Sequence, residues 1–417
     1  MINLYYDSLE FGNGRTADSI PVRPNTTIHT HLSWIDLAYT TKLTKDYVDD
    51  AGLNLYVIEM FYVQRTNEVF KNIPESTLEL LRNKKLKLLM YFPTEGFKLN
   101  LYDDWFVKMH EIFVEFNLES ADKYFIYNNL TIEEQYKKLV EDNRLPCKFN
   151  KVYGYPFFAL EHHARLLEVN GPKVSIENMM TKKKDFFCPN AKMRAHRLLL
   201  VSELDRRGIL ANSFTSLMGE KPGHFYAETT IEHVTNVLVG LFNSNNDIPQ
   251  DTKEHLLQFA KNWKPMFLDN PQNIELETKV IPEYYEKSYF SLVTETGMDH
   301  YLRITEKTYK PIANFHPFII IGCHGTLSYL RSLGYETFPE LFDESYDNEV
   351  DVPKRLLLVA NEVEKFCKLS KEEKDNRFSR VIDKVKHNHN LFFNVLPTIN
   401  KEKYKQIFHD IKNDSDL

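Results

Sequence analysis

Short apolar runs alternate with longer segments of helical periodicity along most of this 417-residue chain. Parallel strands need long crossover connections, usually helices, so this alternation favours an α/β fold with mostly parallel sheets. We expect helices at 104–116, 132–141, 192–207 and 326–333. The runs that we expect to be strands are 2–6, 53–61, 86–92 and 123–127 in the first half and 185–188, 212–217, 288–294 and 317–322 in the second.

The runs fall into two series, which predicts two α/β domains followed by a helical C-terminal segment. We place the first domain at 1–175 and the second at 176–375, because 160–182, with Asn-Gly-Pro at its centre, is the best linker. In the remaining segment, 376–417, apolar residues recur at helical spacing and predict a helix that docks back on a domain. Those apolar residues are Tyr404, Ile407, Phe408 and Ile411.

The composition argues against several classes of protein. A net charge of −7 is opposite to what a protein that coats nucleic acid by bulk charge needs. The four cysteines lie far apart without a CxxC pair, which disfavours a zinc site and disulfides and favours a reducing compartment. The first residues lack the pattern of a signal peptide, and no run approaches the ~20 apolar residues of a membrane span. We therefore expect a soluble, cytoplasmic protein.

A basic segment surrounds the apolar run that ends at Cys188. Residues 182–207 contain eight Lys or Arg and three Asp or Glu, in contrast to the acidic chain as a whole. Arg194 and Arg197 lie where a helix is expected to begin, and helix N-termini present free N–H groups that bind phosphate. The segment predicts an anion site, although a solvated helix start with scattered cations has the same composition.

A second helix start, at 302–311, combines a carboxylate with two lysines. Thr305 is a suitable N-cap, and Glu306 and Lys307 follow it in the first turn. A carboxylate there can accept hydrogen bonds from both hydroxyls of a ribose, and Lys307, with Lys310 one turn later, can neutralise a diphosphate. The alternative is a capped surface helix with an ion pair.

Two carboxylates follow apolar runs, at the strand ends where parallel sheets bind their ligands. Glu295 follows the run 288–294 and is a candidate ligand-site residue, with ordinary turn chemistry as the alternative. Glu95 follows the run 86–92 and is a candidate general base, with an exposed loop acid as the alternative.

His29, His31 and Asp36 are rivals of Glu95 for the role of base. The two histidines alternate, so we expect them on one face of a strand. Their spacing alone is weak support for a metal site, and no third ligand is apparent, so we expect no bound metal.

Missing motifs argue against two common nucleotide-binding classes. No GxxxxGK[ST] occurs, which excludes a P-loop, and no GxGxxG follows the first strand, which disfavours a nicotinamide dehydrogenase. We also find no DxD flanked by apolar residues that would hold a metal–diphosphate complex.

Four blocks in the second half resemble the nucleotide-sugar-binding half of GT-B glycosyltransferases. The resemblance is greatest to α-1,3-fucosyltransferases and to similar glycosyltransferases of phages and large viruses, and it covers about 182–345. It implies a GT-B-like α/β fold, in which two Rossmann-like domains enclose a cleft and C-terminal helices follow, and a viral protein. The blocks are SLVTE at 291–295, ITEKTYKPI at 304–312, HPFI at 316–319 and LSYLRSLGYETF at 327–338.

The resemblance assigns donor-binding roles to several of these residues. Glu306 and Lys307 match positions that bind the ribose and diphosphate of the sugar donor, and Arg194 or Arg197 matches an arginine that binds the phosphates. Glu95 lies in the nearest equivalent of a turn that carries a carboxylate in the acceptor half.

The resemblance also bears on the mechanism. Retaining GT-B enzymes often carry two glutamates separated by seven residues, whereas Glu295 and Glu306 are eleven positions apart. An inverting transfer, with neither a metal nor a cofactor beyond the nucleotide sugar, is therefore implied.

The expected activity is transfer of a sugar from a nucleotide sugar to a hydroxyl acceptor, either a glycan or a modified DNA base. Two alternatives remain open. One is a nucleotide-sugar epimerase or hydrolase of the same fold, and the other is a non-catalytic binding module.

Overall fold

The computed structural model divides the chain into two compact units. Unit 1 comprises Met1–Phe157 and Thr398–Leu417, and unit 2 comprises Phe158–Pro397. The sequence placed the corresponding boundaries after residues 175 and 375. The residues that the structure describes are 1–7, 19–21, 27–60, 66–93, 104–142, 145–156, 159, 174–180, 182–218, 230–244, 248–268, 280–298, 302 and 304–414.

Unit 1 is built on a mainly parallel sheet. Its strands are β1 (Ile2–Tyr6), β2 (Ser19–Pro21), β3 (Tyr39–Leu43), β4 (Leu53–Met60), β5 (Lys87–Phe92), β6 (Lys123–Tyr127) and β7 (Lys151–Gly154). The strand order is β3-β1-β4-β5-β6-β7, and β2 pairs antiparallel with the end of β4. Every side chain of β5 is buried, as expected for a central strand of a parallel sheet that is covered on both faces.

Helices connect these strands, two of them at the segments 104–116 and 132–141 where the apolar periodicity predicted them. The helices of unit 1 are α1 (Thr27–Trp34), α2 (Thr66–Lys71), α3 (Glu75–Arg82), α4 (Asp104–Glu115) and α5 (Ile132–Glu141), with a 3-10 turn at Thr44–Asp46. The core between helices and sheet is rich in aromatic side chains, including Phe106, Phe113, Phe125 and Phe149.

Unit 2 contains a smaller sheet in which all strand pairs are parallel. Its strands are β8 (Lys184–Cys188), β9 (Ser213–Thr215), β10 (Ser288–Thr294) and β11 (Phe318–Ile321). They are arranged in the order β11-β10-β8-β9. The expected α/β class, with a Rossmann-like parallel sheet in each half of the chain, is therefore confirmed.

The helices of unit 2 surround this sheet. They are α6 (Ala195–Arg206), α7 (Ile231–Ser244), α8 (Gln250–Asn262), α9 (Pro282–Lys287), α10 (Glu306–Ala313), α11 (Thr326–Ser332), α12 (Val352–Cys367), α13 (Lys371–Ser379) and α14 (Ile382–Asn390). Short 3-10 turns occur at Glu177–Met180, Leu210–Asn212 and Glu344–Asn348, and a π-helical turn at Leu391–Val395. Gly208 follows α6 in the left-handed conformation, with φ 71°, as is common for a glycine just after a helix C-terminus.

The last helix, α15 (Leu396–Asn413), packs in unit 1 through the apolar stripe that the sequence predicted. Tyr404 and Ile411 are fully buried, and the Tyr404 hydroxyl donates a hydrogen bond of 2.7 Å to that of Tyr91. Lys87 donates to the carbonyl of Ile411. These contacts join the end of the chain to the sheet of unit 1.

The prediction that His29 and His31 share one face of a strand is wrong, because both residues lie in α1. The apolar residues around them reveal the reason. Ile28, Leu32 and Ile35 recur at i, i+4 and i+7 and are all fully buried, which is the stripe of an amphipathic helix. A short run such as IHTHLSW is ambiguous because it also satisfies a period of two.

Among the described residues, no helix is both long and apolar enough to cross a membrane.

Two buried histidines in unit 1 predict a loss of stability in mild acid. Burial lowers the pKa of His31 to about 3 and that of His110 to about 4. Both values lie below the ~6.5 of an unfolded chain, so the unfolded state binds more protons as the pH falls below 6.5. Each histidine should remove about 1 kcal/mol from the free energy of unfolding between pH 6.5 and 5.5.

His110→Phe isolates one of these contributions. His110 Nδ1 donates 2.7 Å to the Phe106 carbonyl, whereas the buried Nε2 has no hydrogen-bond partner. Urea titrations at pH 6.5 and 5.5 should show that the variant loses about 1 kcal/mol less than the wild type. His409→Gln, at an exposed position of the same unit, is the control. An unchanged acid response in His110→Phe would contradict the prediction.

Candidate functional site

The predicted ligand residues of the second half gather at the carboxyl edge of the unit 2 sheet. The loop after β8 leads into α6, which begins at Ala195, and the loop after β10 leads towards α10, which begins at Glu306. Two helix N-termini therefore lie next to strand ends, the place where open parallel sheets bind anionic ligands.

Glu295 fixes the start of α10. Its side chain is 1% exposed and accepts hydrogen bonds from the backbone N–H of Thr305 (3.1 Å) and the Thr305 hydroxyl (2.6 Å). The hydroxyl of Thr308 donates a third bond of 2.6 Å. The sequence predicted Glu295 as a donor-site residue, and its contacts instead make it the group that positions the α10 N-terminus.

Lys307 and Glu306 form an ion pair at the first turn of α10. Lys307 Nζ lies 2.5 Å from Glu306 Oε1 and donates to the hydroxyls of Thr296 (3.2 Å) and Thr305 (3.4 Å). The Lys307 side chain is 26% exposed, so a ligand can reach it. Thr305 is the N-cap, as predicted, and its hydroxyl accepts from the Lys307 N–H.

Arg197 is a buried cation in the first turn of α6. Its side chain donates to the carbonyls of Lys192 (3.1 Å) and Thr294 (3.2 Å), and its Nε has no hydrogen-bond partner among the described residues. In the described part of the chain it forms no ion pair. Burial, with Arg194 nearby, lowers its pKa to about 10, so the group stays charged at neutral pH. Arg197 thus stabilises the loop before α6 and adds positive charge near the start of that helix.

His196 connects the two helix starts. Its Nε2 lies 3.0 Å from the carbonyl oxygen of Glu295. Burial is the main cause that holds its pKa well below the usual value, and the cations Arg197, Arg194 and Lys307 act in the same direction. The imidazole is therefore neutral at physiological pH.

A cavity of about 330 Å³ opens beside these residues, within unit 2. Its polar lining residues are Arg194, His196, His233 and Thr296. Its apolar wall is provided in large part by α7, where Val237 and Leu241 remain 42% and 41% exposed. The other apolar lining residues are Leu199, Val234, Leu238, Phe242, Met298, Val352, Pro353 and Leu356.

Arg355, on α12, hydrogen-bonds to loops next to this cavity. The side chain is 2% exposed. It donates to the carbonyls of Gly322 (3.1 Å) and Met298 (3.2 Å), which follow β11 and β10, and to that of Glu349. One guanidinium therefore joins three loops around the site.

The structure brings together most of the ligand residues that the sequence predicted. Arg194 lines the cavity, and Lys307 contacts Thr296, another lining residue. Lys310 lies one turn further along α10, half-buried and outside the cavity lining. The residues that sequence reasoning missed are Arg355, Thr308 and the apolar wall of α7.

Sequence signals exist for some of these missed residues. Arg355 stands in register with the apolar stripe of α12, at four and eight positions before Val359 and Val363, where a charge implies a buried role. The α7 wall is separated in sequence from every other part of the site, so no local pattern connects it to them.

The candidate bases of unit 1 differ in where they lie. Glu95 lies outside the described residues. His31 is 2% exposed, and its Nδ1 is hydrogen-bonded to the Tyr91 hydroxyl, so it is sealed inside the unit. Asp36 is 78% exposed and lies in the turn before β3, at the amino edge of the sheet, with Lys401 Nζ 3.4 Å away. Neither placement suits a base that acts at the carboxyl edge.

Glu59 is a buried carboxylate of unit 1 that sequence reasoning missed. It ends the apolar run of β4, is fully buried, and accepts a hydrogen bond of 3.4 Å from the Ile28 N–H at the start of α1. A single acid within the run LYVIEM is the signal that marks it. Its burial makes it a structural cap of α1.

Among the described residues, no group of three or more His, Cys, Asp and Glu side chains is arranged to hold a metal ion.

Comparisons with known proteins identify similar structures only. No family model matches the chain, and no curated protein matches it. One similar structure is a DNA modifying enzyme, a beta-glucosyltransferase studied with and without uridine diphosphoglucose; it is 9% identical and covers 98% of this chain and 100% of its own, with a TM-score of 0.39.

Two other similar structures come from Burkholderia. A UDP-forming alpha,alpha-trehalose-phosphate synthase from Burkholderia vietnamiensis is 12% identical, with 80% and 70% of the two chains covered and a TM-score of 0.37. The alpha,alpha-trehalose 6-phosphate synthase from Burkholderia multivorans is 11% identical, with 85% and 75% covered and a TM-score of 0.39. At these scores, the similarities establish neither a family nor an activity for this chain.

Proposed function

We propose that this protein is a glycosyltransferase, which moves a sugar from a nucleotide sugar to a hydroxyl acceptor. The observation that carries the proposal is the cavity of unit 2, whose lining combines a cation with apolar side chains. Arg194 and the first residues of α6 line it, Lys307 at the start of α10 contacts the lining residue Thr296, and α7 supplies much of the apolar lining. A nucleoside diphosphate has the same division, between a charged diphosphate and a largely apolar base.

The contacts of the donor follow from the chemistry of each side chain. Arg194 and Lys307 bind the diphosphate, assisted by the N–H groups at the starts of α6 and α10. Glu306 exchanges its ion pair with Lys307 for the two hydroxyls of the ribose. The base lies against the apolar residues of α7, where it removes Val237 and Leu241 from water.

We propose an inverting transfer that needs no metal. A carboxylate of unit 1, Glu95, takes the proton of the acceptor hydroxyl as its oxygen attacks the anomeric carbon. The bond from that carbon to the diphosphate oxygen breaks, and its electron pair leaves with the diphosphate. Arg194, Lys307 and the buried charge of Arg197 stabilise the negative charge that develops there.

Ligand binding is the direct test. We expect one of UDP, GDP, ADP and TDP to raise the melting temperature, because a ligand at 100 times its Kd stabilises the folded state by ~2.7 kcal/mol. Protein with the matching nucleotide sugar, and either a glycan or DNA with a hydroxylated base as acceptor, should then release the diphosphate. Absence of any stabilisation would favour a non-catalytic module. Equal release without an acceptor would favour a hydrolase, and isomerised sugar an epimerase.

Arg194→Ala and Lys307→Ala should each weaken diphosphate binding by about 10- to 100-fold, because each removes a charge-assisted hydrogen bond worth ~1.5–3 kcal/mol. The side chain of Arg194 makes no helix-capping hydrogen bond, so its loss should leave α6 intact. Isothermal titration calorimetry measures both affinities.

Lys365→Ala is the matched control for Lys307→Ala. Lys365 also pairs with a nearby glutamate, Glu362, at 2.6 Å, but on α12 and away from the cavity lining. The control should bind like the wild type. Wild-type affinity in both Arg194→Ala and Lys307→Ala would overturn the assignment of the diphosphate site.

A further inference from the structure

We propose that His196 is a specificity-determining residue of the cavity, whose Nδ1 accepts a hydrogen bond from a neutral N–H or O–H group of the ligand. This inference rests on the proposed function and extends it. The shared chemistry of the ligand is a neutral donor, supplied either by the nucleoside or by a hydroxyl of the transferred sugar.

The geometry of His196 fixes which ring nitrogen carries the hydrogen. Nε2 lies 3.0 Å from the carbonyl oxygen of Glu295, which can only accept. A neutral imidazole has one donor and one acceptor, so Nε2 donates and Nδ1 keeps its lone pair. That carbonyl belongs to the residue whose carboxylate anchors α10, so the ring is held by a rigid partner.

The position of His196 leaves Nδ1 for a ligand. The residue is half-buried and lines the cavity together with Arg194 and Thr296. In the described part of the chain, the hydrogen-bonded ring nitrogen is Nε2. Because Nε2 is held by Glu295, Nδ1 is the ring nitrogen that we assign to a molecule in the cavity.

The charges around the ring keep it an acceptor. Arg197, on the same helix, Arg194 at its start and Lys307 on α10 are cations that disfavour an imidazolium. The guanidinium of Arg194, another polar group of the lining, can only donate. Phosphate oxygens satisfy donors but cannot donate to Nδ1, so this nitrogen selects a different part of the ligand.

Two substitutions separate the roles of the two ring nitrogens. His196→Gln places an amide N–H near the position of Nε2, keeps the bond to Glu295, and removes the acceptor. His196→Asn places an amide oxygen near the position of Nδ1 and gives up the bond to Glu295. We expect His196→Gln to lose affinity about 5- to 10-fold with little change in melting temperature. His196→Asn should melt lower but bind more tightly than His196→Gln.

Calorimetric titrations with UDP and with UDP-glucose identify the source of the donor. A loss in His196→Gln that is already complete with UDP assigns the nucleoside, and a loss seen only with UDP-glucose assigns the glucose. Equal affinities of wild type and His196→Gln for both ligands would overturn the inference alone. Failure of the wild type to bind any diphosphate or its glucose ester would overturn the proposed function as well.

A second readout excludes a phosphate-binding, cationic His196. If the ring bound phosphate as an imidazolium, the wild type would take up a proton on binding UDP near pH 7, and His196→Gln would not. Titrations of both proteins in buffers of different ionisation enthalpy cancel the ionisation of the ligand itself. We expect equal proton uptake by the two proteins, and a difference between them would refute the acceptor role.

Discussion

Replacing Arg355 by methionine is expected to destabilise unit 2 by about 3–5 kcal/mol, because the change leaves several buried carbonyl groups without a donor. The carbonyl groups that Arg355 binds are those of Gly322, Met298 and Glu349, which belong to three separate loops. Methionine retains much of the apolar volume, so the loss reports mainly on the hydrogen bonds. Urea titration should show an earlier unfolding transition.

The same substitution should also weaken diphosphate binding, since Met298 lines the cavity and loses its anchor. Arg331→Met is the matched control. Arg331 is 46% exposed and pairs with Glu344 at 3.0 Å, so its loss should cost less than about 1 kcal/mol. Equal effects of the two substitutions would mean that the loops hold their places without Arg355.

The elements predicted most accurately from the sequence are those with an unbroken apolar run. β1, β6 and β10 begin and end at the expected residues, because central parallel strands are buried on both faces and read as continuous hydrophobic stretches. β3 was missed, since its residues, YTTKL, are half-buried at the edge of the sheet. Such a strand is specified by its partner β1 rather than by its own pattern.

The candidate site was predictable only as far as local rules reach. The cap at Thr305 and the placement of Glu306 and Lys307 in the first turn follow from the sequence of one helix start. The inward orientation of Glu295 depends on Thr308, thirteen positions later, and on how α10 packs against β10. A polar residue after a strand can face a ligand or its own protein, and spacing alone does not distinguish these two cases.

The largest effect on turnover is expected from Glu95→Gln, which should lower kcat by ~10²–10⁴-fold while affinity for the nucleotide sugar is retained. The base acts on the acceptor in the transition state, so its loss leaves donor binding unchanged. Glu95 lies outside the described residues, and the argument rests on its place in the chain. In the sequence it follows Phe92, the last residue of the buried strand β5, by three positions, and parallel sheets bind ligands beyond the carboxyl ends of their strands.

The rival candidates provide the controls for this prediction. Asp36→Asn should keep near-normal turnover, because Asp36 lies at the amino edge of the sheet, and Glu79→Gln tests an exposed glutamate of the same unit. His31→Gln should act through stability, since its imidazole is sealed against Tyr91. Single-turnover rates and donor affinities, measured in parallel for all four variants, distinguish these roles. Near-normal turnover in Glu95→Gln would show that Glu95 is not the base. A selective loss of turnover in Asp36→Asn would instead favour Asp36, which follows α1.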